Sequence, residues 1–412
     1  MEVLKTDNGL TYILYPIETR YVTVAAVTGF GHMDETKKES AHALEHMLLK
    51  GTGNRNYRDI METLKWEALG GYNAETNTDM TKMYAIGAKR RMESLVDLFA
   101  DALQNSTFSE KILEGEKVRI ITETNERREN SAWEIYPKAY ELFFDSRRLS
   151  ELAYLPTTED IKRIKTCDLE SQYRRFFNPD NSVFIVYGGI DTYAAEKRVE
   201  MDFADFRGTT PKRIFEELKP RNERNEIEMG LPGLENYKLS VMMPAPLLRA
   251  DNREERIAMR VASNLLDSNL TKILQDDLGL VYGVGAGCNS FLRYGASGVD
   301  TESVPDKSEE VRRIVYREIE RLHDGEIDAT FLKKLENARQ DTSDINEDTD
   351  PFNGPVELAA LDMAAILTSG DYRYAIKAAG GKNDVDIDKV REVCSKYLDL
   401  DKSVTISVKN KA

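Results

Sequence analysis

Cysteine is scarce in this chain. Only Cys167, Cys288 and Cys394 occur among 412 residues, widely separated and odd in number. That argues against a disulfide framework and against a cysteine-based zinc knuckle. Long apolar runs are missing as well: no stretch reaches the roughly 18 residues that a membrane-spanning helix needs. Positive charge is in the minority, with 57 Lys and Arg against 72 Asp and Glu and a net charge of −15. A nucleic-acid partner requires clustered cations, so none is expected. The plain meaning of the acidity is solubility. An acidic interior attracting basic peptides is the sharper meaning, secondary because composition does not place the charges. Residues Met1 to Gly9 lack a basic stretch followed by an apolar run, and they are too acidic for a transit peptide. The expectation is a cytoplasmic protein.

What is present is a globular composition in a chain too long for one ordinary core, which predicts two domains or more. Segments of alternating and helical period interleave throughout. Arg20 to Gly29 and Met80 to Gly87 read as strands, and Asn181 to Ile190 reads as a short buried strand. Ser40 to Lys50 reads as a helix stopped by Gly51 and Gly53, and Ser109 to Arg128 as a second, with Ile112, Leu113, Ile120 and Ile121 in register. Residues 207–226 are charged, contain Pro211 and Pro220, and show no sustained apolar period. They read as a linker between a domain at 1–206 and another at 227–412, which opens with a strand near Tyr237 to Met243 and closes with one at Ser403 to Lys409. The two halves mix elements at similar spacing, which suggests a diverged duplication. Asn346 to Pro355, acidic with Pro and Gly, reads as an exposed loop.

Histidine is too scarce here for a five-residue pattern holding two of them to arise often by chance. Of His32, His42, His46 and His323, two fall in Ala41-His42-Ala43-Leu44-Glu45-His46-Met47. On a helix His42 and His46 lie one turn apart on one side with Glu45, while Ala41, Leu44 and Leu48 form an adjoining apolar stripe. Two imidazoles so spaced can reach one metal ion, and the carboxylate beside them can reach a water held there. The order His-x-x-Glu-His is the inverted form of the commoner zinc-peptidase motif. The bland alternative is a surface helix whose histidines are merely solvated. His32 reads as a loop histidine and not a ligand.

Hydrolysis at zinc normally takes three protein ligands and leaves one position open. Glu116 and Glu123 are seven residues apart on the second helix, hence on one face with Ile112, Arg119 and Ile120. Taken alone, that face is better read as an ordinary solvated one.

The segments Gly31-His32-Met33-Asp34-Glu35 and Ala41 to Thr52 resemble the pitrilysin, insulysin and mitochondrial-processing-peptidase family of inverzincins. In that family the third ligand is a glutamate 77 residues after the second histidine, which is Glu123 here. A glutamate seven residues earlier, Glu116 here, is the family's partner to a ligand. Gly70-Gly71-Tyr72-Asn73-Ala74-Glu75-Thr76 resembles the family's edge strand, which implies substrate backbone binding at Asn73 and Ala74 by strand addition. In the second half, Leu274 to Gly283 resembles a segment whose arginine and tyrosine reach the substrate and the developing oxyanion. Tyr282 matches that tyrosine, a buried core tyrosine being the bland alternative. Gln275 stands where the family has the arginine, and a neutral amide cannot supply a guanidinium's charge-assisted bonds.

The resemblance implies an α+β fold of two related domains, each a mostly antiparallel sheet with helices packed on it. It implies one Zn2+ per chain on His42, His46 and Glu123, with Glu45 as the base that activates water. It also implies a clamshell chamber, closed by a homodimer or by a heterodimer with a related chain, that admits unfolded peptides. The departure at Gln275 supports the alternative of a metal-bearing subunit that depends on a partner chain for the arginine. A non-catalytic assembly subunit is the remaining alternative, opposed by the complete set of His42, Glu45, His46 and Glu123.

Overall fold

Val183-Phe184-Ile185-Val186 lies in a strand, Ser182–Gly188, whose every residue is buried. A strand covered on both faces reads as a continuous apolar run, and this one is central to its sheet. The structure is a computed structural model that describes residues 1–69, 71–129, 132–328, 333–334, 353–374, 376 and 386–411. The strands are β1 (Glu2–Lys5), β2 (Thr11–Pro16), β3 (Tyr21–Thr28), β4 (Gly71–Thr76), β5 (Thr81–Ala88), β6 (Ser182–Gly188), β7 (Asn225–Leu231), β8 (Tyr237–Pro244), β9 (Val281–Ser290), β10 (Gly295–Ser303) and β11 (Val404–Asn410). Helices of the first half are α1 (Ser40–Leu48), α2 (Tyr57–Glu67), α3 (Met92–Asn105), α4 (Glu110–Glu129), α5 (Ala132–Phe143), α6 (Arg147–Ala153), α7 (Thr158–Lys162), α8 (Thr166–Phe176) and α9 (Thr192–Asp202). Those of the second are α10 (Arg253–Leu270), α11 (Ser308–His323), α12 (Asn353–Ser369) and α13 (Ile387–Tyr397).

Two compact units result. One holds Met1–Glu129, Leu155–Ile214 and the described residues within Asp341–Gly381; the other holds the described residues of Asn130–Tyr154, Phe215–Gln340 and Lys382–Ala412. The first sheet runs β1-β2-β6-β3-β5-β4 and the second β7-β11-β8-β10-β9. All pairings are antiparallel except β2 with β6 and β7 with β11. Without β1, both sheets order their strands first, fifth, second, fourth, third, and in both the parallel pair is first with fifth. The duplication suggested by the sequence is therefore present in the topology, and the fold is the expected α+β one of two related domains.

The strands follow the division at 207–226, with β7 starting at the end of that segment. The helices do not. From the first half, Ile135, Ala139 and Phe143 of α5 pack with Met242 of β8 and Val404, Ile406 and Val408 of β11. From the second half, α12 packs on β3 and β6 of the first sheet. One face of each sheet thus takes an apolar helix from the other half of the sequence. The expected loop at 346–355 lies outside the described residues over 346–352. Residues 353–355 instead open α12, and Pro355 is tolerated there because first-turn amides have no helical acceptor.

Candidate metal centre

The helix α1 is fixed by its apolar stripe. Ala41, Ala43, Leu44 and Met47 are fully buried and Leu48 almost so. Burial of side chains of this size contributes roughly 1.5–3 kcal/mol each for the larger ones. Its start is tied down as well: the Ala41 amide donates to Glu35 Oε2 at 3.0 Å, and Ser40 Oγ donates to the Lys37 carbonyl at 2.6 Å. The opposite face carries His42, Glu45 and His46 towards α4. That helix is charged along most of its length, and it buries Leu113, Glu116, Lys117, Ile120 and Thr124.

Three donor atoms converge between the two helices. His42 Nε2 and His46 Nε2 are 3.1 Å apart. Glu123 Oε2 lies 3.5 Å from the first and 3.7 Å from the second. Zinc bonds of about 2.0–2.1 Å in a tetrahedron put neighbouring ligand atoms about 3.3 Å apart. The observed triangle brackets that value. Each ring's other nitrogen faces a carboxylate: His42 Nδ1 is 2.7 Å from Glu39 Oε1, and His46 Nδ1 is 3.1 Å from Glu116 Oε2. Ionised carboxylates only accept, so each Nδ1 is placed to donate to its carboxylate, and with both rings neutral the two Nε2 lone pairs face one spot. With a carboxylate oxygen beside them, three electron-rich atoms share a space that suits a cation. The residues fit a tetrahedral divalent metal, with one position left for a fourth ligand.

The surrounding charges agree. Glu116 is buried and also meets Lys50 Nζ at 3.1 Å and Arg119 Nη1 at 3.3 Å. Burial alone would raise its pKa, but the bonds from His46 and Lys50 outweigh burial and lower it. Burial likewise acts to raise Glu39, yet the bond and charge of His42 hold it below the usual carboxylate range. Glu45 behaves in the opposite way. Burial raises its pKa, and the opposing pull of His42, His46 and the Thr76 bond does not reverse this. Its carboxylate has one oxygen within 4.8 Å of a ring nitrogen of each histidine. A carboxyl group with a raised pKa beside the donor triangle is suited to accept and return a proton.

A cavity of about 480 Å3 opens over this triangle, lined among others by Glu45, Tyr72, Asn73, Ala74, Arg119 and Arg127. The strand β4 forms one wall and is the last strand of its sheet, paired among the described residues with β5 alone. Its outer edge is thus open for another strand. Asn73 and Ala74 sit where the sequence placed them, with Asn73 exposed and Ala74 packed against the core. His32 lines the cavity too, but its Nδ1 faces Glu35 Oε2 at 3.3 Å, and it stands outside the donor triangle.

The first unit therefore brings together His42, Glu45, His46, Glu116, Glu123, Asn73 and Ala74. Gln275 and Tyr282 belong to the second unit, and both are exposed. Tyr282 is 98% exposed on β9, which removes the alternative of a core tyrosine. Gln275 lies in a wide π-type turn, Thr271–Asp277. Sequence reasoning missed Glu39. The available signal was a carboxylate three residues before a ligand histidine.

The chain belongs to peptidase family M16, and relatives it resembles include proteins named zinc proteases. Residues 13–145 match the family model described as insulinase (peptidase family M16), and residues 163–338 match the one described as peptidase M16 inactive domain. A protein of Rickettsia bellii named an uncharacterized zinc protease is 23% identical over 332 residues, 78% of this chain and 77% of its own. The mitochondrial-processing peptidase subunit beta of Lentinula edodes is 24% identical over 310 residues, 73% of this chain and 66% of its own. Among solved structures, a protease from Helicobacter pylori shares the fold with a TM-score of 0.81 over 99% of both chains, at 18% identity. No described helix is long and apolar enough to cross a membrane.

Proposed function

We propose that this chain is a zinc-dependent endopeptidase acting on unfolded or extended peptide segments. The observation that carries the reading is the convergence of His42 Nε2, His46 Nε2 and Glu123 Oε2 within 3.1–3.7 Å, with both Nδ1 atoms engaged by carboxylates. His42, His46 and Glu123 would hold the ion, and two neutral imidazoles with a carboxylate favour zinc. When bound, zinc supplies Lewis-acid polarisation of a carbonyl and brings a water's pKa towards neutrality.

The protein's own groups do the rest. Glu45 takes the proton from the attacking water and delivers it to the leaving amine nitrogen. Glu116 holds the His46 ring through Nδ1. The peptide lies against the open edge of β4 near Asn73 and Ala74, so its backbone supplies affinity whatever its side chains. Tyr282 is assigned the hydrogen bond to the developing oxyanion, on the strength of the Gly279-Leu280-Val281-Tyr282 resemblance. A second reading, a metal-bearing subunit that works with a related chain, is favoured by Gln275 in place of arginine.

The test is cleavage of quenched fluorogenic peptides by the zinc-loaded chain beside Glu45→Gln. Removal of a general base costs about 10²–10⁴-fold. Turnover that falls by this much while the variant still binds zinc supports the first reading. No turnover by zinc-loaded wild type supports the second, and turnover unchanged in Glu45→Gln defeats both.

A further inference from the structure

Among the described residues, Glu39 and Asn222 are the two non-glycine residues with positive φ. Asn enters the left-handed region with little strain because its short side chain bonds locally. Glutamate has no such excuse. Glu39 sits at φ 70°, ψ 3°, directly before α1, where a glycine would be strain-free. It is also buried, which a carboxylate resists unless paired. The residue thus carries two costs at one position.

Helix capping does not explain it. The Glu39 side chain makes no capping bond to α1, and the Ala41 amide is taken by Glu35 instead. Only the Glu39 carbonyl serves the helix, accepting from the Ala43 amide at 3.0 Å, and glycine would do that equally. What glutamate adds is a carboxylate 2.7 Å from His42 Nδ1. Glu116 makes the matching contact to His46, at 3.1 Å, while also meeting Lys50 and Arg119. The shorter of the two contacts is therefore the one to Glu39.

We propose that Glu39 is a positioning residue for the metal centre: through Nδ1 it fixes the tautomer and ring orientation of His42, and its left-handed backbone is tolerated for that purpose. The proposal rests on the metal-site reading above. It makes the centre symmetric in its support, with a carboxylate behind each ligand histidine. Such outer partners raise ligand basicity, and their loss typically weakens metal binding 10–100-fold.

The test uses the full chain as wild type, Glu39→Gly and Glu39→Gln, with zinc affinity measured by chelator competition and thermal midpoints measured without metal. In Glu39→Gly the zinc dissociation constant rises about 10–100-fold, while the metal-free midpoint holds or rises because the backbone strain is gone. Glu39→Gln keeps a hydrogen-bond acceptor without its charge and falls between. A merely structural role would lower the midpoint and the affinity together, and that result overturns the proposal. So does a Glu39→Gly protein that binds zinc like wild type. Wild-type protein that takes up no zinc overturns the metal reading, and this proposal with it.

Discussion

Glu116→Gln separates a support residue from a ligand. The wild-type carboxylate is buried and receives His46 Nδ1 at 3.1 Å, Lys50 at 3.1 Å and Arg119 at 3.3 Å. The amide is nearly isosteric, so its oxygen can still accept from His46, but the charge that strengthens the imidazole is lost. Because that charge is shared among three donors, the expected weakening of zinc lies near the low end of the usual range, about tenfold, or about 1.4 kcal/mol. Stability falls separately. Lys50, half-buried, loses its ionic partner and keeps its contact over the Tyr57 ring at 5.0 Å, for a cost of about 1–3 kcal/mol. Chelator competition gives the first quantity and urea unfolding of the metal-free protein the second. A thousandfold loss of affinity would make Glu116 itself a ligand and refute the assignment to Glu123. An unchanged affinity with lowered stability would make Glu116 a scaffold residue only.

Two further perturbations test how the centre is framed. In Gly31→Ala the new Cβ would lie 2.4 Å from the Asn77 carbonyl oxygen and 2.6 Å from the Asp79 nitrogen. The turn between β4 and β5 must then shift, at about 1–3 kcal/mol, and with it Thr76, which bonds Glu45. Reduced turnover at full zinc occupancy is expected, and wild-type turnover would count against β4 as the substrate edge. Asp101 tests the pH dependence of stability. Burial raises its pKa, but bonds from Thr52, Asn105, Asn54 and Arg55 outweigh this and hold it below the ordinary value. A depressed folded pKa means its contribution is present above the unfolded value, near 3.9, and fades as pH falls through the folded one. Asp101→Asn should therefore be less stable than wild type at pH 7, with the gap narrowing as pH falls below the ordinary carboxylate value and through the lower folded one. A gap that persists at acid pH would show that packing, not charge, is lost.

The parts legible in the sequence were those where period and rarity coincide. The helix α1 was readable because Ala41, Leu44 and Leu48 mark one face and two of four histidines mark another. Likewise β3 and β6 were readable from β-branched runs, and buried neighbours now surround them. Glu39 was not readable, because its role depends on a backbone conformation that a glutamate rarely adopts. The exchange of α5 and α12 was also hidden. An apolar stripe such as Ile135, Ala139 and Phe143 says that a helix must be covered, not which sheet covers it. Tyr282 could equally have been core or surface, since alternation along Val281 to Cys288 is blurred by Gly283, Gly285 and Gly287. The structure puts Val281 inside and Tyr282 out, on the last strand of its sheet.

The duplicated topology explains why the fold survives where the chemistry does not. In the first unit α1 follows β3 and precedes β4; in the second α10 follows β8 and precedes β9, the same place in the same strand order. What that place requires of a helix is an apolar face. Both supply one, α1 through Ala41, Leu44 and Met47 and α10 through Ala258, Val261, Leu265 and Leu266. Nothing about the packing requires histidines on the other face, and α10 has none. His42, Glu45 and His46, on α1, lie close enough together to hold a metal ion. Burial pattern therefore holds the two copies to one architecture, while a handful of side chains on one helix pair carries the proposed metal chemistry. Drift at those few positions leaves the sheet and its core untouched, so sequence similarity between the halves fades long before their strand order does.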